Sequence, residues 1–222
     1  MINALVIDLD DTLCMTEEIC FELENSVLSQ LGRVPMDRKV HLKTWGMPLF
    51  EVIETRSPGV DVEAFRGLYR NLITDFIASK KLDSISEDNY KALDSLINLN
   101  KKVMILTSRS HDELSHLLEP DHRLASKIKA FYYLDNMKFH KPDPRAFDSL
   151  LYDFKLQPQQ CAYIGDSVSD AVAAKKAGLY FIASLESGLR ERSDFNGQEV
   201  DIFIDRFKDV VEAVQILDNR ES

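Results

Sequence analysis

The sequence predicts an α/β fold in which a mostly parallel sheet is flanked by helices and interrupted by an inserted all-helical domain. Three observations lead to this prediction. The apolar run at residues 4–7 opens the chain as a buried strand. Residues 15–85 show helical spacing of apolar side chains and contain no strand-like run. From residue 103 onward, short apolar runs alternate with helical segments, which is typical of parallel sheets with helical crossovers.

The inserted segment is predicted to consist of helices. Apolar residues including Ile19, Leu23 and Val27 follow helical spacing over residues 16–30, and Gly32 stands where a C-terminal glycine ends a helix. Further helices are expected at residues 37–44, 49–55 and 62–78. We therefore expect a core domain made of residues 1–14 and 86–222, and a helical domain at residues 15–85.

The remaining elements are predicted to alternate within the core domain. Strands are expected at residues 103–106, 131–134, 161–164, 179–183 and 202–204. Helices are expected at residues 86–99, 112–118, 145–154, 168–177 and 207–217. The polar stretch at residues 186–199 is predicted to be a surface loop with a short helical turn, because it is rich in charge and contains two glycines.

Composition restricts the class of protein. A chain of 222 residues has room for a core domain of about 150 residues and a smaller insertion, and its 45% apolar share supports a hydrophobic core. The formal net charge of −10 argues against a nucleic-acid partner, which requires a basic face. Three cysteines are too few for a disulfide framework and favour a reducing compartment. Without a membrane-length apolar run or a signal-peptide pattern, a cytoplasmic protein with no membrane partner is expected.

Carboxylates directly follow the first predicted strand. Asp8 and Asp10 stand two residues apart after the apolar run, so we expect them at the carboxyl edge of the sheet, where α/β folds place ligands. A surface turn carrying acids is the alternative. Three later strands are followed in turn by a hydroxyl, a lysine and a carboxylate pair, namely Thr107, Lys141, and Asp166 with Asp170.

Together these four segments resemble the four motifs of the haloacid dehalogenase (HAD) superfamily of phosphohydrolases, in the order that the family has them. The resemblance extends from Ala4 to about Phe181 and implies a HAD-like Rossmannoid core. The helical insertion lies where phosphoglycolate-phosphatase-like and β-phosphoglucomutase-like members carry a helical C1-type cap. Residues 46–49, Gly-Met-Pro-Leu, are similar to the Gly-x-Pro-Leu turn of such caps.

The resemblance implies a Mg²⁺-dependent phosphatase of small phosphorylated metabolites. Asp8 would attack phosphorus and form an aspartyl-phosphate, while Asp10 would protonate the leaving alcohol and then deprotonate water. Thr107 would hold a phosphoryl oxygen, and Lys141 would pair with phosphoryl oxygens and with Asp8. The alternatives are an ordinary turn residue for Thr107 and a solvated surface lysine for Lys141.

The same resemblance implies the ligands of the metal ion. Mg²⁺ prefers oxygen ligands, and the family pattern assigns it to Asp8, Asp166 and the backbone carbonyl of Asp10. Asp170 would be a further ligand or would orient metal-bound water. Helix capping is the alternative for Asp166 and Asp170, because acids are favoured at the start of the helix predicted near residue 168.

Substrate selection is expected to depend on the cap. The cap turn that faces the core in similar proteins supplies the candidate substrate contacts Lys43, Thr44, Trp45 and Gly46. In the core, Ser108 and Arg109 follow Thr107 and are further candidates. Two alternatives stay open: Trp45 packs only between cap helices, or Arg109 belongs to a surface helix start.

Three residues near the first motif, Asp11, Thr12 and Cys14, are considered for roles beside the main catalytic set. Asp11 stands where many relatives have glycine, and we expect it to orient backbone or to contact solvent. Thr12 is expected to hydrogen-bond the loop and support Asp8. Cys14 is a nucleophile by residue type, but no histidine lies near it in the sequence to activate it.

Other functions within the same fold are considered beside the phosphatase. A phosphomutase of the β-phosphoglucomutase type would return the phosphoryl group to a second hydroxyl. A non-catalytic binding or regulatory protein is disfavoured by the intact motif set. Dehalogenation is disfavoured by Asp10, since dehalogenase members of the superfamily lack an aspartate there. The apolar pattern favours no particular oligomeric state.

Overall fold

One parallel sheet organises this computed structural model, which describes residues 1–79 and 82–220. The sheet has six strands in the order β3-β2-β1-β4-β5-β6. These are β1 (Ala4–Ile7), β2 (Lys102–Leu106), β3 (Phe131–Tyr132), β4 (Cys161–Gly165), β5 (Tyr180–Ser184) and β6 (Ile202–Ile204). Every neighbouring pair is parallel. The predicted α/β fold with a parallel sheet is confirmed.

In the part of the chain that the structure describes, five helices lie between β1 and β2, and the others lie between or after the later strands. They are α1 (Glu17–Gln30), α2 (Arg38–Thr44), α3 (Leu49–Arg56), α4 (Val62–Ala78), α5 (Glu87–Asn98), α6 (His111–Leu114), α7 (Asp148–Phe154), α8 (Val168–Lys176) and α9 (Val210–Arg220). Local capping explains several of their ends. Asp37, Asp61 and Ser86 each accept a backbone N–H in the first turn of the helix that follows them. Gly32, with φ +69°, ends α1.

Apolar side chains form separate clusters on the two faces of the sheet and within the helical insertion. Leu5 and Ile7 of β1 face one side of the sheet, whereas Ala4 and Val6 face the other, as strand alternation requires. Helices α1, α3 and α4 pack around a third cluster that includes buried Phe65. The helical insertion therefore has apolar packing of its own, while its boundaries at residues 15 and 85 stay predictions.

Some predicted elements differ in length or type. The strand predicted at residues 131–134 ends at Tyr132, because the next backbone groups serve a turn: Leu134 N–H donates to the carbonyl of Arg109, and Tyr133 N–H donates to Asn136. The helices predicted at 112–118, 145–154 and 207–217 are each part α-helix and part 3₁₀-helix.

The polar loop predicted at residues 186–199 does contain a short helical turn, Arg192–Phe195. Among the described residues, no helix combines the length and apolar character needed to cross a membrane. The cytoplasmic location stays a prediction.

Candidate active site

The carboxyl ends of three adjacent strands bring the predicted motif residues to one edge of the sheet. Ile7 in β1 is in register with Ile105 in β2 and with Ile164 in β4. Asp8 directly follows the last residue of β1, and its N–H donates to the carbonyl of Ile164 at 2.8 Å. Thr107 follows β2 at the same edge and is buried. Parallel pairing thus assembles residues that lie far apart in the sequence.

Three carboxylates form a buried cluster at this edge. Asp8, Asp166 and Asp170 each place a carboxylate oxygen within 4.8 Å of the others. Burial raises the pKa of Asp8 to about 7, although Lys141 opposes the shift. Burial, together with repulsion from Asp170 and Asp8, also raises the pKa of Asp166 well above its usual value. Clustered oxygen donors whose charges repel one another fit a divalent cation such as Mg²⁺.

Lys141 is a positioned cation beside this cluster. Its Nζ lies 3.0 Å from Asp8 Oδ2 and 2.7 Å from Asp170 Oδ1, and it donates to the hydroxyl of Tyr163 at 2.9 Å. Burial lowers its pKa, but Asp170 and Asp8 outweigh burial and raise the pKa above its usual value. Lys141 is therefore charged at neutral pH, and the alternative of a solvated surface lysine is wrong.

Asp170 serves both the helix start and the cluster. Its Oδ2 accepts the N–H of Ser167 at 3.0 Å and the hydroxyl of Ser167 at 2.7 Å, forming a capping box at the start of α8. Its Oδ1 accepts from Tyr163 and Lys141. A Cβ on Gly165 would lie 2.6 Å from Asp170 Cγ, so only glycine leaves room for this carboxylate.

Asp10 directs its side chain to a different partner. Nε of Arg109 lies 3.0 Å from Asp10 Oδ2, and Nη2 lies 2.6 Å from Asp10 Oδ1. Thr16 also donates its hydroxyl to Asp10 Oδ1, at 2.5 Å. The side chain of Asp10 is thus held by an ion pair and lies outside the carboxylate cluster of Asp8, Asp166 and Asp170.

Arg109 is buried in the core and also contacts the linker that returns from the helical insertion. Its Nη1 and Nη2 donate to Asp83 at 2.9 and 2.7 Å, and Nη1 donates to the carbonyl of Glu113 as well. Every guanidinium N–H therefore donates to a protein oxygen in this conformation. The surface helix start considered for Arg109 is wrong, because the residue is 5% exposed.

Asp83 is the second carboxylate, after Asp10, that pairs with the guanidinium of Arg109. The residue has φ +57° and follows α4 in the linker toward α5. His116 Nε2 lies 2.6 Å from its Oδ2. Burial acts to raise the pKa of Asp83, but Arg109 and His116 outweigh it and hold the pKa at about 2. Asp83 is therefore ionised, and Asp10, Arg109 and Asp83 form one continuous network in which Arg109 and Asp83 are buried.

Asp11 connects the first motif to the helical insertion. It adopts φ +52°, and its Oδ1 accepts the backbone N–H groups of Thr16 and Glu17. Trp45 Nε1 donates to Asp11 Oδ2 at 2.5 Å. The expectation that Asp11 orients backbone is correct, but the residue is buried rather than in contact with solvent. Trp45 therefore does more than pack between helices of the insertion.

Thr12 and Cys14, which follow in the same segment, do not have the contacts or the chemistry considered for them. The expected support from Thr12 is wrong, because its buried hydroxyl has no hydrogen-bond partner among the described residues. Cys14 is fully buried, and burial raises the pKa of its thiol well above the usual value. A protonated buried thiol is a poor nucleophile.

A cleft of about 610 Å³ opens onto the carboxylate cluster. Asp8, Asp10, Lys141 and Asp166 line it from the core. Of the predicted substrate contacts, Trp45, Gly46 and Ser108 also line it.

The other two predicted cap contacts, Lys43 and Thr44, do not line the cleft. Lys43 is exposed, whereas the buried Thr44 accepts from Arg56 Nε at 2.8 Å inside the insertion. Thr44 therefore serves the packing of the insertion in this conformation.

Several residues of the site were not predicted from the sequence. They are Tyr163, Ser167, Asp83, Gly165 and the cleft residues His140 and Arg190. The Ser167-x-x-Asp170 spacing is a capping-box signature and could have indicated Ser167. Tyr163 and Asp83 carry no local signal, because Lys141 and Arg109, which they contact, lie in distant segments.

The chain is similar in sequence to phosphatases of other organisms. A phosphoglycolate phosphatase from Xylella fastidiosa is 25% identical over 197 residues, which cover 86% of this chain and 83% of the relative. The pyrophosphatase PpaX of Anoxybacillus flavithermus is 23% identical and is aligned over 97% of this chain and 98% of its own length.

Solved structures share the architecture at lower identity. CbbY from Rhodobacter sphaeroides, solved in complex with phosphate, superposes with a TM-score of 0.79 at 21% identity, covering 95% of this chain and 96% of that chain. β-Phosphoglucomutase from Clostridium difficile gives 0.75 at 18% identity, covering 100% and 99%. The predicted Rossmannoid fold is therefore confirmed. Residues 5–184 match the sequence model of one family, and the chain belongs to the haloacid dehalogenase-like hydrolases.

Proposed function

We propose that the chain is a Mg²⁺-dependent phosphatase that hydrolyses small phosphomonoester metabolites through an aspartyl-phosphate on Asp8. The observation that carries this proposal is the pairing of Asp8 with Lys141, at 3.0 Å, inside a cluster that also contains Asp166 and Asp170. A phosphatase and a pyrophosphatase among the sequence relatives support a phosphoryl substrate.

Asp8 is the proposed nucleophile. Its Oδ1 accepts the N–H of Leu9 at 2.9 Å, and Lys141 lies beside Oδ2. Both contacts fix the carboxylate and favour its ionised form. When bound at the cluster, Mg²⁺ would neutralise charge on the phosphoryl oxygens and on the carboxylates. An Asp8 oxygen would then bond to phosphorus as the bond from phosphorus to the leaving alcohol breaks.

Asp10 is the proposed general acid and base. It lines the cleft with its side chain 19% exposed, so both a leaving alcohol and water have access to it. It would donate a proton to the departing alkoxide and later accept one from the water that attacks the aspartyl-phosphate. The proton balance closes because the same carboxyl group serves both steps.

The test is phosphate release from a panel of sugar phosphates, a phosphorylated carboxylic acid, nucleotides and an aryl phosphate, with Mg²⁺ or with chelator. We expect Mg²⁺-dependent release from some members and a fall of about a thousandfold or more in Asp8→Asn. Asp88→Asn is the matched control, since Asp88 is an exposed residue of α5 that pairs with Lys91 at the surface.

The possible outcomes separate the competing functions. Slow phosphate release that a sugar bisphosphate converts into phosphoryl transfer would support a phosphomutase instead. Absence of any metal-dependent reaction across the panel would contradict both and favour a non-catalytic protein.

A further inference from the structure

The cleft extends beyond the carboxylate cluster to the loop that follows β5. Arg190 and Asp194 of this loop line it, as do Met47, Pro48 and Glu51 of the helical insertion. A volume of about 610 Å³ lies within the range of small-molecule sites, which leaves room for an organic group beside the phosphoryl group. The side chains beyond the cluster are therefore those that the leaving group of a phosphomonoester would contact.

Arg190 is a cation without a carboxylate partner among the described residues. Its hydrogen bond runs from Nη1 to the backbone carbonyl of Leu189, at 3.3 Å. Among the described residues that line the cleft, Lys141 is the other lysine or arginine, and it already contacts Asp8, Asp170 and Tyr163. Arg190 thus has guanidinium N–H groups available to a ligand, which Lys141 and the buried Arg109 do not.

The loop that carries Arg190 is anchored to the core. Phe195 is 3% exposed, and its ring contacts those of Phe181 and Phe203. Asp194 Oδ2 accepts the N–H of Glu191 at 2.7 Å and closes the turn next to Arg190. Because this turn and Phe195 fix the loop directly after Arg190, the fold sets the position of Arg190 at the cleft.

We propose that Arg190 binds a second anionic group, a carboxylate or a phosphate, on the leaving group of the substrate. This inference rests on the proposed phosphatase function and narrows its substrate class. The planar guanidinium suits two parallel hydrogen bonds to either anion. Glu51 and Asp194 line the same cleft and would repel an anionic group of the substrate. Such a group is therefore stabilised only where it contacts Arg190.

The experiment compares three aliphatic phosphomonoesters of similar length, ending in a carboxylate, in a second phosphate or in a neutral amide. For the wild-type protein with Mg²⁺, kcat/KM is expected to be higher for an anionic ester than for the amide. Arg190→Gln should lower that ratio by about tenfold to a hundredfold, mainly through KM, as expected for a charged hydrogen bond. Comparing the two anionic esters identifies which anion the site prefers.

Arg192→Gln is the matched control. Arg192 lies two residues away, over the ring of Phe203 and 3.8 Å from Asp205, and does not line the cleft. We expect it to leave the ratio unchanged. An unchanged ratio in Arg190→Gln, an equal loss in Arg192→Gln, or a wild-type protein that prefers the neutral amide would each overturn the inference.

A binding measurement separates this inference from the phosphatase proposal. Trp45 is the single tryptophan of the chain and lines the cleft, so its fluorescence reports occupancy. If no ester is hydrolysed, the phosphatase proposal fails, yet the carboxylate ester should still change the fluorescence and bind more weakly to Arg190→Gln. Equal affinity of both proteins, or no fluorescence change with any ester, would contradict the role of Arg190.

Discussion

Arg109 holds the carboxylate of Asp10 in a bidentate ion pair, with Nη2 2.6 Å from Oδ1 and Nε 3.0 Å from Oδ2. The same guanidinium contacts Asp83, which lies in the linker from the helical insertion. Arg109 therefore sets the position of the proposed general acid and ties it to the insertion. We assign Arg109 as a positioning residue rather than a catalytic one.

Replacing Arg109 with lysine should impair proton transfer more than phosphoryl binding. Lysine cannot form the bidentate pair, so Asp10 loses its fixed orientation. We expect kcat for an alkyl phosphate to fall by about tenfold or more, with a smaller fall for an aryl phosphate, whose leaving group needs less protonation. Steady-state kinetics on both substrates measure the difference.

The control for this change is Arg123→Lys, because Arg123 pairs with Glu87 at the surface and lies over the ring of Tyr90. It should leave kcat unchanged on both substrates. Equal losses on alkyl and aryl phosphates in Arg109→Lys would argue against a role through Asp10.

Asp83 should contribute stability that depends on pH. Its pKa falls from 3.8 to about 2 on folding, so the contribution is complete above about pH 4 and is lost as the pH falls toward 2. Asp83→Asn should therefore lower the free energy of unfolding by about 2 kcal/mol at pH 7. The difference from wild type should shrink between pH 4 and pH 3 in urea titrations. Asp205→Asn, at an exposed position, should show no such trend.

Gly165 should be intolerant of a side chain. The Cβ of alanine would lie 2.6 Å from Asp170 Cγ, and this buried carboxylate could move away only by breaking its hydrogen bonds to Lys141, Tyr163 or Ser167. We expect Gly165→Ala to reduce stability by about 1–3 kcal/mol and to weaken Mg²⁺ binding measured by calorimetry. Gly67→Ala is the control, since Gly67 lies in α4 with open space around it and should gain up to about 1 kcal/mol. Unchanged Mg²⁺ affinity in Gly165→Ala would contradict the geometry.

Mg²⁺ should stabilise the folded protein through the carboxylate cluster. A ligand at about 100 times its Kd adds about 2.7 kcal/mol, which corresponds to a rise of roughly 5–10 °C in Tm for a chain of this size. Asp166→Asn should abolish this rise. In the absence of metal the same variant should be at least as stable as wild type, because burial and repulsion from Asp170 and Asp8 disfavour the charge of Asp166 and raise its pKa. Thermal unfolding with and without Mg²⁺ tests both statements, and an equal rise in both proteins would exclude Asp166 as a ligand.

Local pattern was sufficient to predict the edge of the sheet and the residues at it. Apolar runs that end in Asp8 and Asp166 predict strands whose carboxyl ends carry acids, and parallel pairing then makes these ends neighbours. Pattern was insufficient for β3, which lies at the edge of the sheet and pairs on one side only. The strand predicted at residues 131–134 ends at Tyr132, and a turn in which Tyr133 N–H donates to the side chain of Asn136 replaces the rest.

Hydrophobic periodicity in the sequence by itself determined most of the strands and helices, and the resemblance to the family's motifs assigned Asp8, Asp166 and Asp170 to one site. Only the tertiary structure decided the partners of Asp10. Arg109 lies 99 residues from Asp10 and 26 residues from Asp83, so no local spacing relates them. The position of Arg190 over the cleft likewise depends on how Phe195 anchors its loop. Such contacts arise from packing between distant segments, which residue pattern does not encode locally.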